Sequence, residues 1–269
     1  MKAELFNDHF QNYKRYHIPK AQLIIADIPY NIGKNAYGSN PKWYVDGDNK
    51  NGKSELAGKE FFDTDKDFRP AEFMHFCSKM LRKEPKQKNA APAMIVFCEF
   101  EQQFYLIELA KRYGLNNYIN LVFRKNFSAQ VLKANMRIVG NCEYGLLLYR
   151  DKLPKFNNNG KMVFNCIDWQ KDGNDREKIH PTQKPVKLLK KLIEIFTDPG
   201  EVVIDPVAGS ASTLIAAVES KRTTYGFEIK KDYFAAAKER LDKIKLREEE
   251  IDKYGFAKTE VSLKHPVLF

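Results

Sequence analysis

Residues 201–228 restrict this chain to a narrow set of folds. Glu201-Val202-Val203-Ile204 reads as a short buried strand, since an apolar run of this length bounded by turn residues suits a strand better than a helix. It leads into Asp205-Pro206-Val207-Ala208-Gly209-Ser210-Ala211-Ser212-Thr213, where small side chains at 208–212 let a ligand approach the backbone closely. A helix is predicted over 212–219, and the N–H groups at its start favour an anionic group such as a carboxylate. About 20 residues past the turn, as in nucleotide-binding βαβ units, Thr223-Thr224-Tyr225-Gly226-Phe227 reads as the next strand and ends in Glu228, an acid suited to ribose hydroxyls. Strand, tight turn, helix and second strand predict an α/β protein with an open, mostly parallel sheet wound on both faces by helices.

A second apolar run, Leu23-Ile24-Ile25-Ala26, ends in Asp27-Ile28-Pro29-Tyr30. The tetrad is therefore expected on the loop leaving the carboxyl end of a strand, where open α/β sheets place their ligands. It suits chemistry on a planar amine: the Asp27 carboxylate and the Ile28 carbonyl each accept a hydrogen bond, and Tyr30 can stack on an aromatic ring. Alone, it is equally an ordinary strand end and proline turn. The unit at 201–228 is likewise shared by nicotinamide-dependent dehydrogenases and by methyltransferases that use S-adenosylmethionine, and leaves both open.

The third motif, His180-Pro181-Thr182-Gln183-Lys184-Pro185, opens a helix whose Leu189, Leu192, Ile193 and Phe196 recur at helical spacing and form its buried face. On local grounds Thr182 could simply cap that helix, with Pro185 in its first turn. Taken together, the three motifs resemble those of the DNA amino-methyltransferases, in the β-class order that places the tetrad ahead of the glycine turn. The resemblance runs from about residue 20 to about residue 240.

That resemblance implies a single catalytic domain over 1–269 with a doubly wound, mostly parallel seven-stranded sheet of the Rossmann-like methyltransferase type and irregular insertions. It implies S-adenosylmethionine as cofactor and DNA as partner, with the target base flipped out of the duplex. Asp27 and the Ile28 carbonyl would accept the amine hydrogens, with Pro29 shaping the loop and Tyr30 stacking on the base. Asp205, Pro206, Ala208, Gly209 and Ser210 would surround the methionine portion of the cofactor, Glu228 would meet its ribose, and Thr182, Gln183 and Lys184 its carboxylate. Adenine N6 is the expected target because the tetrad begins with Asp, whereas members acting on cytosine N4 more often begin with Ser. Homodimers are common in this class, which includes both restriction-modification enzymes and solitary modifiers.

Three positions depart from the family pattern: Ile28 stands where proline is usual, Val207 where phenylalanine is, and Ala211 where glycine is. Isoleucine keeps the carbonyl while relaxing the backbone, and Ala211 adds a single methyl near the cofactor, tolerable only if the backbone there does not require a positive φ. These departures define the main rival, a DNA-binding homologue whose catalytic site has decayed.

A net charge of +10 favours polyanionic partners and salt-sensitive binding to nucleic acid. No apolar run approaches the roughly 20 residues needed to cross a bilayer, and the first residues lack the apolar stretch of a secretory signal, so a cytoplasmic protein is expected. The cysteines at 77, 98, 142 and 166 and the histidines at 9, 17, 75, 180 and 265 are scattered, and no metal is expected.

Along the chain, 6–20 reads as a polar lead-in and 31–69 as a loop too long for a plain connection, expected to order over substrate and cofactor. Helices are predicted over 70–82, 102–113 and 232–250, and a strand over 94–98. The basic stretch 124–137 reads equally as part of a DNA channel or as a solvated loop, and 151–178 is a candidate short target recognition region.

Overall fold

The computed structural model describes residues 2–29, 68–126, 130–133, 138–169 and 183–254. In chain order these form β1 (Ala3–Phe6), β2 (Leu23–Asp27), α1 (Pro70–Met80), β3 (Ala93–Cys98), α2 (Gln102–Arg112), β4 (Asn117–Lys125), β5 (Gln130–Lys133), β6 (Ile138–Gly140), β7 (Cys142–Tyr149), β8 (Cys166–Trp169), α3 (Val186–Phe196), β9 (Val202–Asp205), α4 (Ser212–Glu219), β10 (Thr223–Phe227) and α5 (Lys231–Tyr254), with a 3₁₀ helix at Phe10–Tyr16. Eight strands make one sheet in the order β1-β10-β9-β2-β3-β7-β4-β8, and β5 pairs with β6 in a separate hairpin. From β1 to β3 every pairing is parallel, whereas β7 runs antiparallel to both β3 and β4.

The sheet is thus mostly parallel and α/β, as expected, with eight strands in place of seven. Two short strands that the sequence reading did not assign supply its edges. Phe6 ends β1, which pairs with β10 from Ala3 opposite Thr224 to Phe6 opposite Phe227. The residues after it are not a polar lead-in either: Phe6 stacks on Tyr16 with ring centroids 4.1 Å apart, and Phe10 lies 5.3 Å from Phe76. Polar side chains dominate the composition there, but every third or fourth residue is an aromatic that covers the sheet. At the other edge, Cys166–Trp169 pairs in parallel with β4, so part of the candidate recognition region belongs to the sheet.

Apolar side chains pack on both faces. Leu23, Ile25, Ile95 and Phe97 contribute to the cluster that also contains α3 and α4 residues, while Ile24, Ala26, Met94 and Val96 join the cluster beneath α1 and α2. This is the period-2 alternation of a strand buried on both sides, and it explains why the central strands are continuous apolar runs in the sequence. On α3, Leu189, Leu192, Ile193 and Phe196 are all buried, as their spacing predicts. The helix stops at Thr197, whose hydroxyl donates to the Ile193 carbonyl at 2.6 Å and accepts from Arg222 Nε at 2.9 Å, so its terminal carbonyls do not go unsatisfied.

The unit at 201–228 forms as read, with α4 crossing from β9 to its neighbour β10. Gly226 is required inside β10. A Cβ there would fall 2.7 Å from Leu214 Cδ1 and 3.1 Å from the Ala208 Cβ, so its absence lets α4 and the turn lie close against the strand. The expected loop at 31–69 and the recognition region beyond Trp169 lie almost wholly outside the described residues.

Candidate active site

Tetrad and turn meet because their strands are neighbours. In the β2–β9 pairing Leu23 lies opposite Val203 and Ile24 opposite Ile204. Three more residues along β2 reach Asp27, and one more along β9 reaches Asp205, both at the carboxyl edge of the sheet. The two carboxyl groups are close enough for Asp27 to help raise the pKa of Asp205. Segments 178 residues apart in sequence therefore lie side by side at the carboxyl edge of the sheet.

The first three residues of the tetrad, Asp27 to Pro29, are held by neighbouring strands and α2. Ile28 is buried, and its N–H donates to the Phe97 carbonyl at 3.3 Å, extending the β2–β3 ladder by one step. Proline could not make that bond, because it has no N–H. Rather than relaxing the backbone, isoleucine pins it by a different means. The next carbonyl, that of Pro29, accepts from Gln102 Nε2 at 2.9 Å, and Gln102 Oε1 accepts from the Glu99 N–H at the same distance. Tyr30 lies outside the described residues, as do His180, Pro181 and Thr182.

On the other side of the cleft, Gly209 has φ +49° and donates its N–H to Glu228 Oε2 at 2.9 Å, so the turn and the acid ending β10 are in direct contact. Lys230 N–H donates to the second Glu228 oxygen at 2.8 Å. Burial raises the pKa of Glu228, and these two N–H groups oppose the rise. Asp205 accepts from the Val207 N–H at 3.0 Å. Its carboxyl is pushed up to about 7, chiefly by burial and further by the charges of Asp27 and Glu228, against the hydrogen bonds from Thr213 and Val207. The turn is backed by Arg240 of α5, whose Nη1 donates to the Ser210 carbonyl at 3.1 Å. The backbone does require a positive φ at Ala211: it is +57°, the left-handed region that glycine normally fills. The αL conformation is set by the geometry that turns β9 into α4, and alanine accepts it at a steric cost of about 1–2 kcal/mol.

The sequence reading placed Lys184 on a cofactor carboxylate. In the structure its ammonium sits 2.5 Å from Asp27 Oδ2 and 3.2 Å from Glu143 Oε2. Glu143 also pairs with Lys125, and both ammonium groups lie over the ring of Trp169, at 5.6 Å for Lys184 and 4.5 Å for Lys125. Burial would lower the Lys184 pKa, but the Asp27 and Glu143 charges outweigh it and leave it raised. Burial would likewise raise that of Glu143, yet the two lysines hold it below the ordinary carboxylate range. Glu143, Lys125 and Gln102 were not among the sequence candidates. The available signal was a charged residue at the mouth of the otherwise apolar Tyr144–Tyr149 run. Among the described residues no three His, Cys, Asp or Glu side chains gather as a metal site would require.

A family model described as DNA methylase, of the N6/N4 type, matches residues 21–239. The YubD protein of Escherichia coli (strain K12) is 31% identical over 219 residues, 81% of each chain. The DNA adenine methyltransferase YhdJ of the same organism is 27% identical over 261 residues, covering 90% of this chain and 83% of its own. Among solved structures, the M1.HpyAVI–SAM complex matches with a TM-score of 0.62 at 22% identity, over 89% of this chain and 98% of that one. PvuII DNA methyltransferase, cytosine-N4-specific, matches with a TM-score of 0.63 at 15% identity, over 92% and 93%. At these identities the two structures speak for a shared fold.

Proposed function

Since this chain belongs to the N6/N4 DNA methylase family, we propose that it transfers a methyl group from S-adenosylmethionine to the N6 amine of adenine in DNA. The observation that carries the reading is the meeting of Asp27 with the Asp205–Ser210 turn at the carboxyl edge of two adjacent strands. A flipped base at the tetrad and a cofactor at the turn would then be within reach of one another.

The residues present fit that cofactor. Glu228 ends β10 at the position where nucleotide-binding units carry the acid that meets ribose, and each of its oxygens, already accepting one N–H, has a further lone pair. Gly209 and the small Ala208 and Ser210 put little side-chain bulk beside it. Asp205, Pro206 and Ser210 would line the methionine portion, and Thr182 and Gln183 would approach its carboxylate. When bound, S-adenosylmethionine supplies an electrophilic methyl group on a sulfonium centre.

The protein's own contribution is alignment and charge. Asp27 and the Ile28 carbonyl accept the two amine hydrogens and direct the nitrogen lone pair toward the methyl group. As nitrogen becomes positive, the Asp27 carboxylate stabilises it and can take the departing proton, so no strong base is needed beforehand. On this reading Tyr30 would stack on the flipped base. The net charge of +10 suits the phosphate backbone. Within the candidate recognition segment, Met162 and Phe164 are 96% and 82% exposed, available to contact a duplex.

Adenine is favoured by the Asp-first tetrad and by the name of YhdJ. Cytosine N4 is the second reading, kept by the PvuII enzyme's similar fold. Radiolabel transfer from S-adenosylmethionine to DNA, followed by digestion to nucleosides, separates them. Label in N6-methyl-2′-deoxyadenosine is expected, and label in N4-methyl-2′-deoxycytidine would select the second reading. Cofactor binding without label in either would favour the decayed homologue.

A further inference from the structure

We propose that Lys184 is a positioning residue for the Asp27 carboxylate, with Glu143 as the anchor that holds its ammonium in place. The proposal rests on the reading of Asp27 as the acceptor of the target amine.

Lys184 reaches Asp27 across 157 residues of sequence, and the structure arranges for it to do so. Pro185 follows it and caps α3 in an extended conformation with ψ 128°, and a residue before proline is itself biased away from the helical region. The lysine is thereby left outside the helix, and its side chain, only 6% exposed, is carried into the cleft wall. There the ammonium lies between Asp27 and Glu143, 5.2 Å from the centre of the Phe97 ring and 5.6 Å from that of Trp169. The lysine contacts Oδ2 of Asp27, whose side chain is 27% exposed while its Oδ1 atom is buried.

Charges alternate along this chain of contacts, Asp27, Lys184, Glu143, Lys125, from β2 through the start of α3 to β7 and β4. A buried run of ion pairs is a poor source of stability, because desolvation offsets the attraction and well-packed apolar residues would serve as well. What such a run supplies is direction. A carboxylate gripped at 2.5 Å by an ammonium that is itself fixed from behind cannot rotate freely about its last bond. For Asp27 that means a fixed carboxylate plane, and acceptance of an amine hydrogen depends on where that plane points. Glu143 sets where the ammonium sits, and Lys125 balances the charge of Glu143.

The test uses the full chain with radiolabelled S-adenosylmethionine and genomic DNA, measured at saturating cofactor, with cofactor affinity from calorimetry. Lys184→Met is expected to lower the rate of methyl transfer about 100-fold while cofactor affinity changes by less than about threefold. Lys184→Arg should recover about tenfold of that loss, because it restores the charge in a different shape. Glu143→Gln, which loosens the anchor only, should lower the rate about tenfold. In an Asp27→Asn background, adding Lys184→Met should change the residual rate by less than about threefold, since a residue acting through Asp27 has nothing left to act on.

A folded Lys184→Met protein with a near-normal rate overturns the proposal. So does one whose weakened cofactor affinity accounts for the whole effect, because that returns Lys184 to the cofactor's carboxylate. If Lys184→Met does not fold, Glu143→Gln decides, and an unchanged rate in that variant overturns the proposal. Wild-type protein that leaves DNA unlabelled overturns the functional reading and this assignment together, whereas wild-type transfer with unaffected Lys184 variants overturns only this one.

Discussion

Asp205→Asn should make the protein more stable at pH 8 and leave its stability nearly unchanged at pH 4. In the folded chain the Asp205 carboxyl is pushed from 3.8 to about 7 by burial and by the neighbouring Asp27 and Glu228 charges. Between those two values the folded protein keeps a proton that the unfolded chain has released. The group's contribution to stability is therefore intact below pH 3.8, is lost progressively as pH rises toward 7, and is level above that. Each pKa unit corresponds to 1.36 kcal/mol, so the displacement sets a ceiling of about 4 kcal/mol on the cost of holding this carboxylate ionised in the fold. Asparagine keeps an oxygen to accept from the Val207 N–H and removes the charge, while giving up part of the bond from Thr213. A net gain of about 2 kcal/mol at pH 8 follows, which for a chain of this size is a rise of roughly 4–8 °C in Tm. Thermal unfolding of both proteins at pH 8 and pH 4 is the assay. A Tm difference that does not depend on pH, or a variant less stable than wild type at pH 8, would refute the reasoning.

Ala211→Gly should stabilise the protein by roughly 0.5–1 kcal/mol in urea unfolding, because it relieves a non-glycine residue at φ +57°; a lower midpoint would contradict this. Gly226→Ala should destabilise by about 1–3 kcal/mol, since its Cβ would lie 2.7 Å from Leu214 Cδ1, and an unchanged midpoint would show that α4 can shift away. Glu228→Gln should weaken S-adenosylmethionine binding by about tenfold or more in calorimetry at pH 8, through loss of a charged acceptor for the ribose, and unaltered affinity would remove Glu228 from the cofactor site.

The parts of the fold legible in the sequence were those whose signal is local. Leu23–Asp27 is buried on both faces, so it reads as an unbroken apolar run, and Ser212–Glu219 and Thr223–Phe227 are bounded by turn residues that mark their ends. β1 and β8 are edge strands of four residues each with alternating burial, too short and too polar to stand out until the sheet supplies a partner. The left-handed conformation at Ala211 was hidden for a related reason, as alanine carries no mark of the φ that the turn imposes on it. The convergence of the Asp27 and Gly209 segments that the sequence reading required is met to the extent that their strands, β2 and β9, are neighbours in the sheet. Motif order could not show that Lys184 would pass over the turn and settle on Asp27, since that choice depends on Glu143 and Trp169 arriving from two other strands.

The central claim is that one cleft holds both the Asp27 tetrad and the Asp205–Ser210 turn, and base-resolved sequencing of modified DNA from cells making the intact protein or Asp27→Ala tests it most directly. N6-methyladenine at one fixed motif is expected with the intact protein and none with the variant, while the purified variant still binds S-adenosylmethionine. Modification that persists in Asp27→Ala cells would contradict the account.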